Sequence, residues 1–151
     1  MIRLEHVNLV VQDIKASCDF IQTAFPDWEI RGQGQSEWYG TKRHWMHIGT
    51  QDNYITLNDG GQSPNRNLKS HDMGLAHIGF EVKELDAIAK RMQEKGYEIA
   101  TIGADHPYRK TLYFIDPAGY EFEFIEYLSD APELKNQYGG ETSGITRIAS
   151  A

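Results

Sequence analysis

The chain has a single cysteine, Cys18, in 151 residues. That excludes an internal disulfide and fits a reducing compartment. Cys18 falls in a helical pattern, where a packed thiol is the simpler expectation than a nucleophile. Positive charge is also scarce: 15 Lys and Arg stand against 22 Asp and Glu, for a formal charge of −7. The densest basic cluster, Lys42-Arg43-His44, is too small to supply the phosphate affinity of a nucleic-acid binder. No stretch approaches the roughly 20 apolar residues of a membrane-spanning helix, so neither nucleic acid nor membrane is expected as a partner. The opening residues, Met-Ile-Arg-Leu-Glu-His, lack the basic-then-apolar layout of a signal peptide, which makes a cytoplasmic location the expectation. What remains is a chain that is 40% hydrophobic and 11% aromatic, sufficient for one packed domain with a small-molecule substrate.

Two segments read as copies of one unit. Leu4 to Val11 alternates around His6, with Leu4, His6, Asn8 and Val10 on one face and Glu5, Val7, Leu9 and Val11 on the other. Asp13 caps a helix from Ile14 to about Phe25, stopped by Pro26. Trp28 to Arg31 resumes an extended run that Gly32 and Gly34 are expected to break; strand-like segments at 38–49 and 53–58 follow. The second half repeats this order. Leu75 to Val82 surrounds His77, and Glu84 to Lys95 carries an apolar stripe of Leu85, Ile88 and Met92. Tyr97 to Ala100 is extended, and a hairpin joins Thr111–Ile115 to Tyr120–Tyr127 through Asp116-Pro117-Ala118-Gly119. The offset drifts only from 71 positions at His6 and His77 to 67 at Thr56 and Glu123. Module one is therefore read as 1–59, the polar linker as 60–72 and module two as 73–128, with a polar tail at 129–151. Whether the tail straps across a partner or frays is open at this level.

His6, His77 and Glu123 stand out because two imidazoles and one carboxylate can hold a divalent metal and leave positions free for substrate and O2. On these motifs, over about residues 2–127, the chain resembles the vicinal oxygen chelate superfamily, also called the glyoxalase/bleomycin-resistance/dioxygenase group. The resemblance implies an α+β fold: two tandem βαβββ modules forming a cup-shaped mixed sheet with helices on the outside. It also implies His6, His77 and Glu123 as metal ligands and a homodimer. Four-ligand glyoxalase-type isomerases place a carboxylate where this chain has Thr56, a poor ligand. Three ligands are the pattern of extradiol ring-cleaving dioxygenases and of fosfomycin-resistance enzymes.

The order His106, Leu112-Tyr113, Asp116-Pro117-Ala118-Gly119, Glu123 is similar to the extradiol motif, with Ala104 as the one departure. That likeness implies an Fe(II) centre (Mn, Zn or Ni being alternatives) that cleaves a catechol-like substrate with dioxygen. His106 would move protons and Tyr113 would hydrogen-bond a substrate oxygen. Asn8, Arg109, His44 and His47 are candidates to line the substrate pocket. His44 and His47 lie on opposite strand faces, so at most one reaches it. The alternatives are a glyoxalase-like lyase or isomerase, a fosfomycin-type transferase, and a non-catalytic small-molecule binder of the bleomycin-resistance type. Simpler roles stand beside these: His106 as an ordinary turn residue, Tyr113 as a core aromatic, Glu121 and Glu126 as solvated rim charges.

Overall fold

The computed structural model of the protein describes residues 1–138. The first module consists of β1 (His6–Val10), α1 (Ile14–Ala24), β2 (Glu29–Trp38), β3 (Thr41–Gly49) and β4 (Tyr54–Asn58). The second consists of β5 (Ile78–Glu81), α2 (Leu85–Glu94), β6 (Thr101–Ile102), β7 (Arg109–Ile115) and β8 (Glu121–Tyr127), followed by a short α3 (Pro132–Lys135). Each module makes its own four-stranded mixed sheet, ordered β1-β4-β3-β2 and β5-β8-β7-β6. In both, the first strand runs parallel to the fourth and the remaining pairs are antiparallel. The tandem βαβββ architecture is therefore as expected, with no helix or strand between Asn58 and Ile78.

The helices start where the chain supplies acceptors for their first amides. Asp13 takes the Ala16 amide at 3.0 Å, an N-cap within reach of sequence reading. At α2 the acceptor comes from another strand. Glu84 sits at φ 55°, and its amide and that of Leu85 donate to the Glu126 carboxylate of β8 at 3.0 and 3.2 Å. Glu126, read from sequence as a rim charge, is therefore a tertiary cap.

Three boundaries differ from the sequence reading. β2 does not stop at Gly32 and Gly34 but runs through them to Trp38, and β3 begins at Thr41. The turn is Tyr39-Gly40, both at positive φ, a pattern that matches the twist of a two-residue hairpin. The glycines make room for an indole: a Cβ on Gly34 would lie 3.1 Å from the Trp45 ring and one on Gly32 3.7 Å from it. In the second module the strand expected at 97–100 is the two-residue β6 at Thr101–Ile102. The tail contributes α3, and its residues 139–151 lie outside the described residues.

One apolar core joins the modules. Leu9, Val11, Phe20, Ile21, Ile48, Ile55 and Leu57 of the first are continuous with Leu85, Met92, Phe114, Phe122 and Phe124 of the second. Helix α1 carries the joint: Phe20 meets Phe122 edge-on at 5.1 Å, and Phe25, just past the helix, meets Phe80 and Phe124 at 5.0 and 5.5 Å. Arg91 of α2 donates to the carbonyls of Thr23 and Ala24 at the end of α1, at 3.3 and 3.0 Å. Ser17 donates to Asp116 at 2.6 Å, both buried, and so ties α1 to the β7–β8 turn. Cys18 is buried beside this joint, and burial pushes its thiol pKa up, with the Asp19 charge adding to the shift. A thiol held protonated suits a packing role.

Because both sheets turn their apolar faces toward the helices, their other faces point outward. On β1 that sends His6 and Asn8 away from buried Leu9. On β8 it sends Glu121 and Glu123 away from buried Phe122 and Phe124.

Candidate metal centre

On the outer face of the second sheet, His77 Nε2 lies 3.1 Å from Glu123 Oε2. Ligands at right angles on a cation with bonds of about 2.1 Å are separated by about 3 Å, so this pair fits two adjacent positions of one divalent ion. His77 precedes β5, and Glu123 comes from β8 opposite Gly79. Gly79 matters here, and sequence reading passed over it. A Cβ at that position would stand 3.3 Å from Glu123 Oε2, so the glycine leaves the carboxylate room to lie against β5. The Tyr113 hydroxyl donates to the other carboxylate oxygen, Glu123 Oε1. Burial, that hydrogen bond and the charges of Glu123 and Glu121 push the Tyr113 pKa up to about 12. Tyr113 is thus a neutral donor that orients the carboxylate, the kind of support metal ligands require. Glu121 lies 4.0 Å from the remaining ring nitrogen of His77.

His6 stands on the outer face of the other sheet. Its Nδ1 is 2.9 Å from Glu5 Oε2, which leaves Nε2 as the nitrogen available to a metal. The ring stacks on Tyr54 at 4.9 Å, and Tyr54 also stacks on His47 at 4.7 Å beneath the Arg31 guanidinium. Tyr54 was not singled out from sequence, although its strand parity with Thr56 places both on the His6 face. Burial first, then the Arg31 and His6 charges, lowers the His47 pKa against the opposing pull of Glu5. His47 pairs across the sheet with Thr56, so of the two hairpin histidines it is the one on the His6 face. His44 points to the other side: Asp59 accepts its backbone N–H at 2.8 Å and faces its Nδ1 at 2.7 Å. Nothing in that position supports the pocket-lining role considered for His44.

The three expected ligands are not gathered within one chain. Among the described residues no group of three His, Cys, Asp or Glu side chains is placed to hold a metal. The reason is the packing of the modules, since α1 lies against the inner faces of both sheets and the ligand-bearing faces diverge.

A family model for the glyoxalase/bleomycin resistance protein/dioxygenase superfamily matches residues 3–124. The chain belongs to that superfamily. Solved structures of the superfamily share the fold. A glyoxylase/bleomycin resistance protein/dioxygenase domain from Frankia sp. EAN1pec is 21% identical with a TM-score of 0.67, over 84% of this chain and 98% of that one. A glyoxalase family protein from Bacillus cereus is 14% identical with a TM-score of 0.71, over 85% and 96%. The fosfomycin resistance protein FosX from Listeria monocytogenes, solved with Mn(II) and 1S,2S-dihydroxypropylphosphonic acid, is 21% identical with a TM-score of 0.62, over 85% and 94%. At these identities the likeness is one of fold. No curated protein matches the chain.

The remaining candidates sit around the two faces. Asn8 shares the His6 face; its side-chain oxygen accepts from Asn58 at 2.7 Å, which leaves its amide N–H groups and one lone pair for a ligand. Arg109 shares a strand face with Tyr113 and donates to the Gln137 carbonyl at 3.1 Å, under the ring of Tyr138. His106 Nε2 is 3.0 Å from the same carbonyl, and its Nδ1 accepts from the Tyr108 amide at 3.2 Å. Both His106 nitrogens are therefore engaged by backbone, and His106 is seven residues from Tyr113 along the chain. The segment after β8 is seated on this sheet as well, through Lys135 to Glu81 at 3.0 Å and Lys135 over the Tyr127 ring.

Proposed function

We propose that this superfamily member is a divalent-metal-dependent enzyme acting on a small molecule with two neighbouring oxygens. The metal is held by His77 and Glu123 of one protomer and His6 of a second copy. The observation that carries this reading is the His77–Glu123 pair at 3.1 Å, two thirds of a ligand set, with His6 turned outward on the other sheet. Charge supports the pairing of copies. Arg31 stands beside His6 and His47 on one face, and Glu121 and Glu123 stand beside His77 on the other, so close approach of the two faces brings opposite charges together. A homodimer of this kind would build two equivalent sites.

A divalent ion held by His77, Glu123 and His6 would supply Lewis-acid polarisation to the substrate. The chain's own part is then clear in outline. Tyr113 orients the Glu123 carboxylate through its hydroxyl hydrogen bond and, with its pKa pushed up to about 12, keeps its own proton at neutral pH. Tyr54, His47 and the indole of Trp45, 4.9 Å from His47, form an aromatic wall beside His6 suited to a flat substrate.

The reaction we favour is extradiol-type opening of a catechol with dioxygen at Fe(II), on the spacing from His106 through Tyr113 to Glu123. A second reading has a specific observation behind it. His106, the proton-moving residue of the dioxygenase motif, has both nitrogens bonded to backbone. An addition reaction of the fosfomycin-resistance type, needing no histidine at that place, fits this better. Anaerobic purification followed by metal analysis and oxygen-electrode assays separates them. Iron content with catechol-dependent oxygen uptake supports ring cleavage. Manganese content with no uptake across a catechol panel supports the addition reaction, and a protein that binds no divalent metal overturns both.

A further inference from the structure

We infer that the linker between the modules builds a second binding site, for phosphate or a phosphate ester. The linker from Gly60 to Arg66 folds over the end of β1 and encloses a cavity of about 380 Å³, whose walls include Arg43, Gly61, Gln62, Ser63, Arg66 and Tyr120. No Asp or Glu lines it. Two guanidinium groups reach it from different parts of the chain, one from β3 and one from the linker itself. In each, the Nε atom is buried and has no hydrogen-bond partner, and these are two of the three such side-chain atoms among the described residues. Buried donors are otherwise almost always paired, because an unpaired one gives up its water for nothing.

The two arginines are held differently. Arg66 is anchored, with Nη2 donating to Ser70 O at 2.9 Å and Nη1 to Leu75 O at 3.5 Å. Each Nη keeps a second N–H, and Nε has no partner among the described residues. Arg43 has no ion pair or side-chain hydrogen bond among the described residues; its guanidinium lies over the Trp38 ring at 5.7 Å. The adjacent carboxylate, Asp59, is turned to His44 and takes both its backbone amide and its ring nitrogen. Burial pushes the Asp59 pKa up, but the His44 hydrogen bonds, then the His44 and Arg43 charges, hold it below its ordinary value. Backbone geometry completes the cradle. Gly60 is at φ +83°, and a Cβ there would lie 3.7 Å from Arg43 Nε. Gly61 is packed so closely on Val11 that a Cβ would be 3.0 Å from its carbonyl. The loop therefore passes over the arginine as bare main chain. Two guanidinium groups on the walls of one polar cavity, with no Asp or Glu among its lining residues, suit a tetrahedral oxyanion. The volume exceeds what an inorganic ion needs, which leaves room for an organic group esterified to it.

The site lies beyond the far end of the His6 strand: Val10, which also lines it, is four residues past His6, a separation of about 13 Å in extended chain at about 3.3 Å per residue. It touches both modules, through Arg43 of the first and Tyr120 of the second, so an occupant would clamp the joint between them.

Titration calorimetry with inorganic phosphate, at constant ionic strength set with chloride, tests the inference. Saturable binding is expected in the wild type, retained in Glu123→Ala and weakened at least tenfold in Arg43→Gln. The amide resonances of Gly60, Gly61 and Ser63 should move with saturation in the wild type, a readout that does not depend on any variant folding. The inference is overturned by binding equal in Arg43→Gln and wild type, by binding lost in Glu123→Ala, by acetate binding as tightly as phosphate, or by no saturable binding. Because Glu123→Ala removes the proposed metal site while leaving this one, failure of either reading is seen separately.

Discussion

Gly79 and Asp116 show how much one atom's position decides. A methyl group on Gly79 would meet Glu123 Oε2 at 3.3 Å, tighter than ordinary contact, and the carboxylate would have to yield. Gly79→Ala is expected to fold normally and to bind the divalent metal proposed above about tenfold more weakly, as disturbed ligand support usually does; a competition titration with a chelating dye measures this. Unchanged affinity would mean Glu123 is not a ligand. Asp116 accepts from Ser17 Oγ at 2.6 Å and from the amides of Ala118 and Tyr120 at 3.0 and 2.8 Å. Asp116→Ala strands all three donors and is expected to cost about 3 kcal/mol in urea unfolding.

Burial raises the Asp116 pKa above 3.8 despite the hydrogen bonds from Ser17 and the turn amides. The folded state therefore holds the proton more tightly than the unfolded chain. Its contribution to stability is full below pH 3.8 and is lost as pH rises through the raised value. Relative to Asp116→Asn, the wild type should be most favoured in acid and lose that margin across this window. A margin that grows with pH would show the carboxylate to be stabilised as the anion.

At the scale of elements, the two helices were both legible but for different reasons. Helix α1 carries its own signals, with Asp13 before it and Pro26 after it. Helix α2 begins at Glu84 in a left-handed conformation, and no local side chain caps it. Its cap is Glu126, 42 residues away, and no local pattern could assign that. Glu126→Ala should lower stability by about 1 kcal/mol, while Glu126→Gln, which keeps an acceptor, should recover most of it; thermal unfolding of both variants decides. Strand β2 shows the converse failure. Gly32 and Gly34 ordinarily signal a break, but here they admit the Trp45 ring of the neighbouring strand. The indole belongs to tertiary packing, so a local rule read the glycines as punctuation.

For the whole molecule, the arrangement of the sheets sets a test that single-chain thinking would not suggest. His6→Ala and Glu123→Ala should each abolish metal binding alone. Unfolded together and refolded, they should regain about a quarter of the wild-type sites, since half the dimers are mixed and each mixed dimer holds one intact site. No recovery in demonstrably mixed dimers would place all three ligands elsewhere than across two copies. Light scattering of the wild type should give twice the chain mass.

Strand alternation, helix stripes and the repeat of His6 in His77 are short-range patterns. They were enough to show two βαβββ modules, to put His6 and Asn8 on one face and Glu121 and Glu123 on another, and to nominate the ligands. They could not show which way the modules turn toward each other, because that depends on which surfaces Phe20 and Phe25 cover. Those phenylalanines join the inner faces of both sheets into one core. As a result His77 and Glu123 meet within a chain, while His6 stands apart on the outer face of the other sheet.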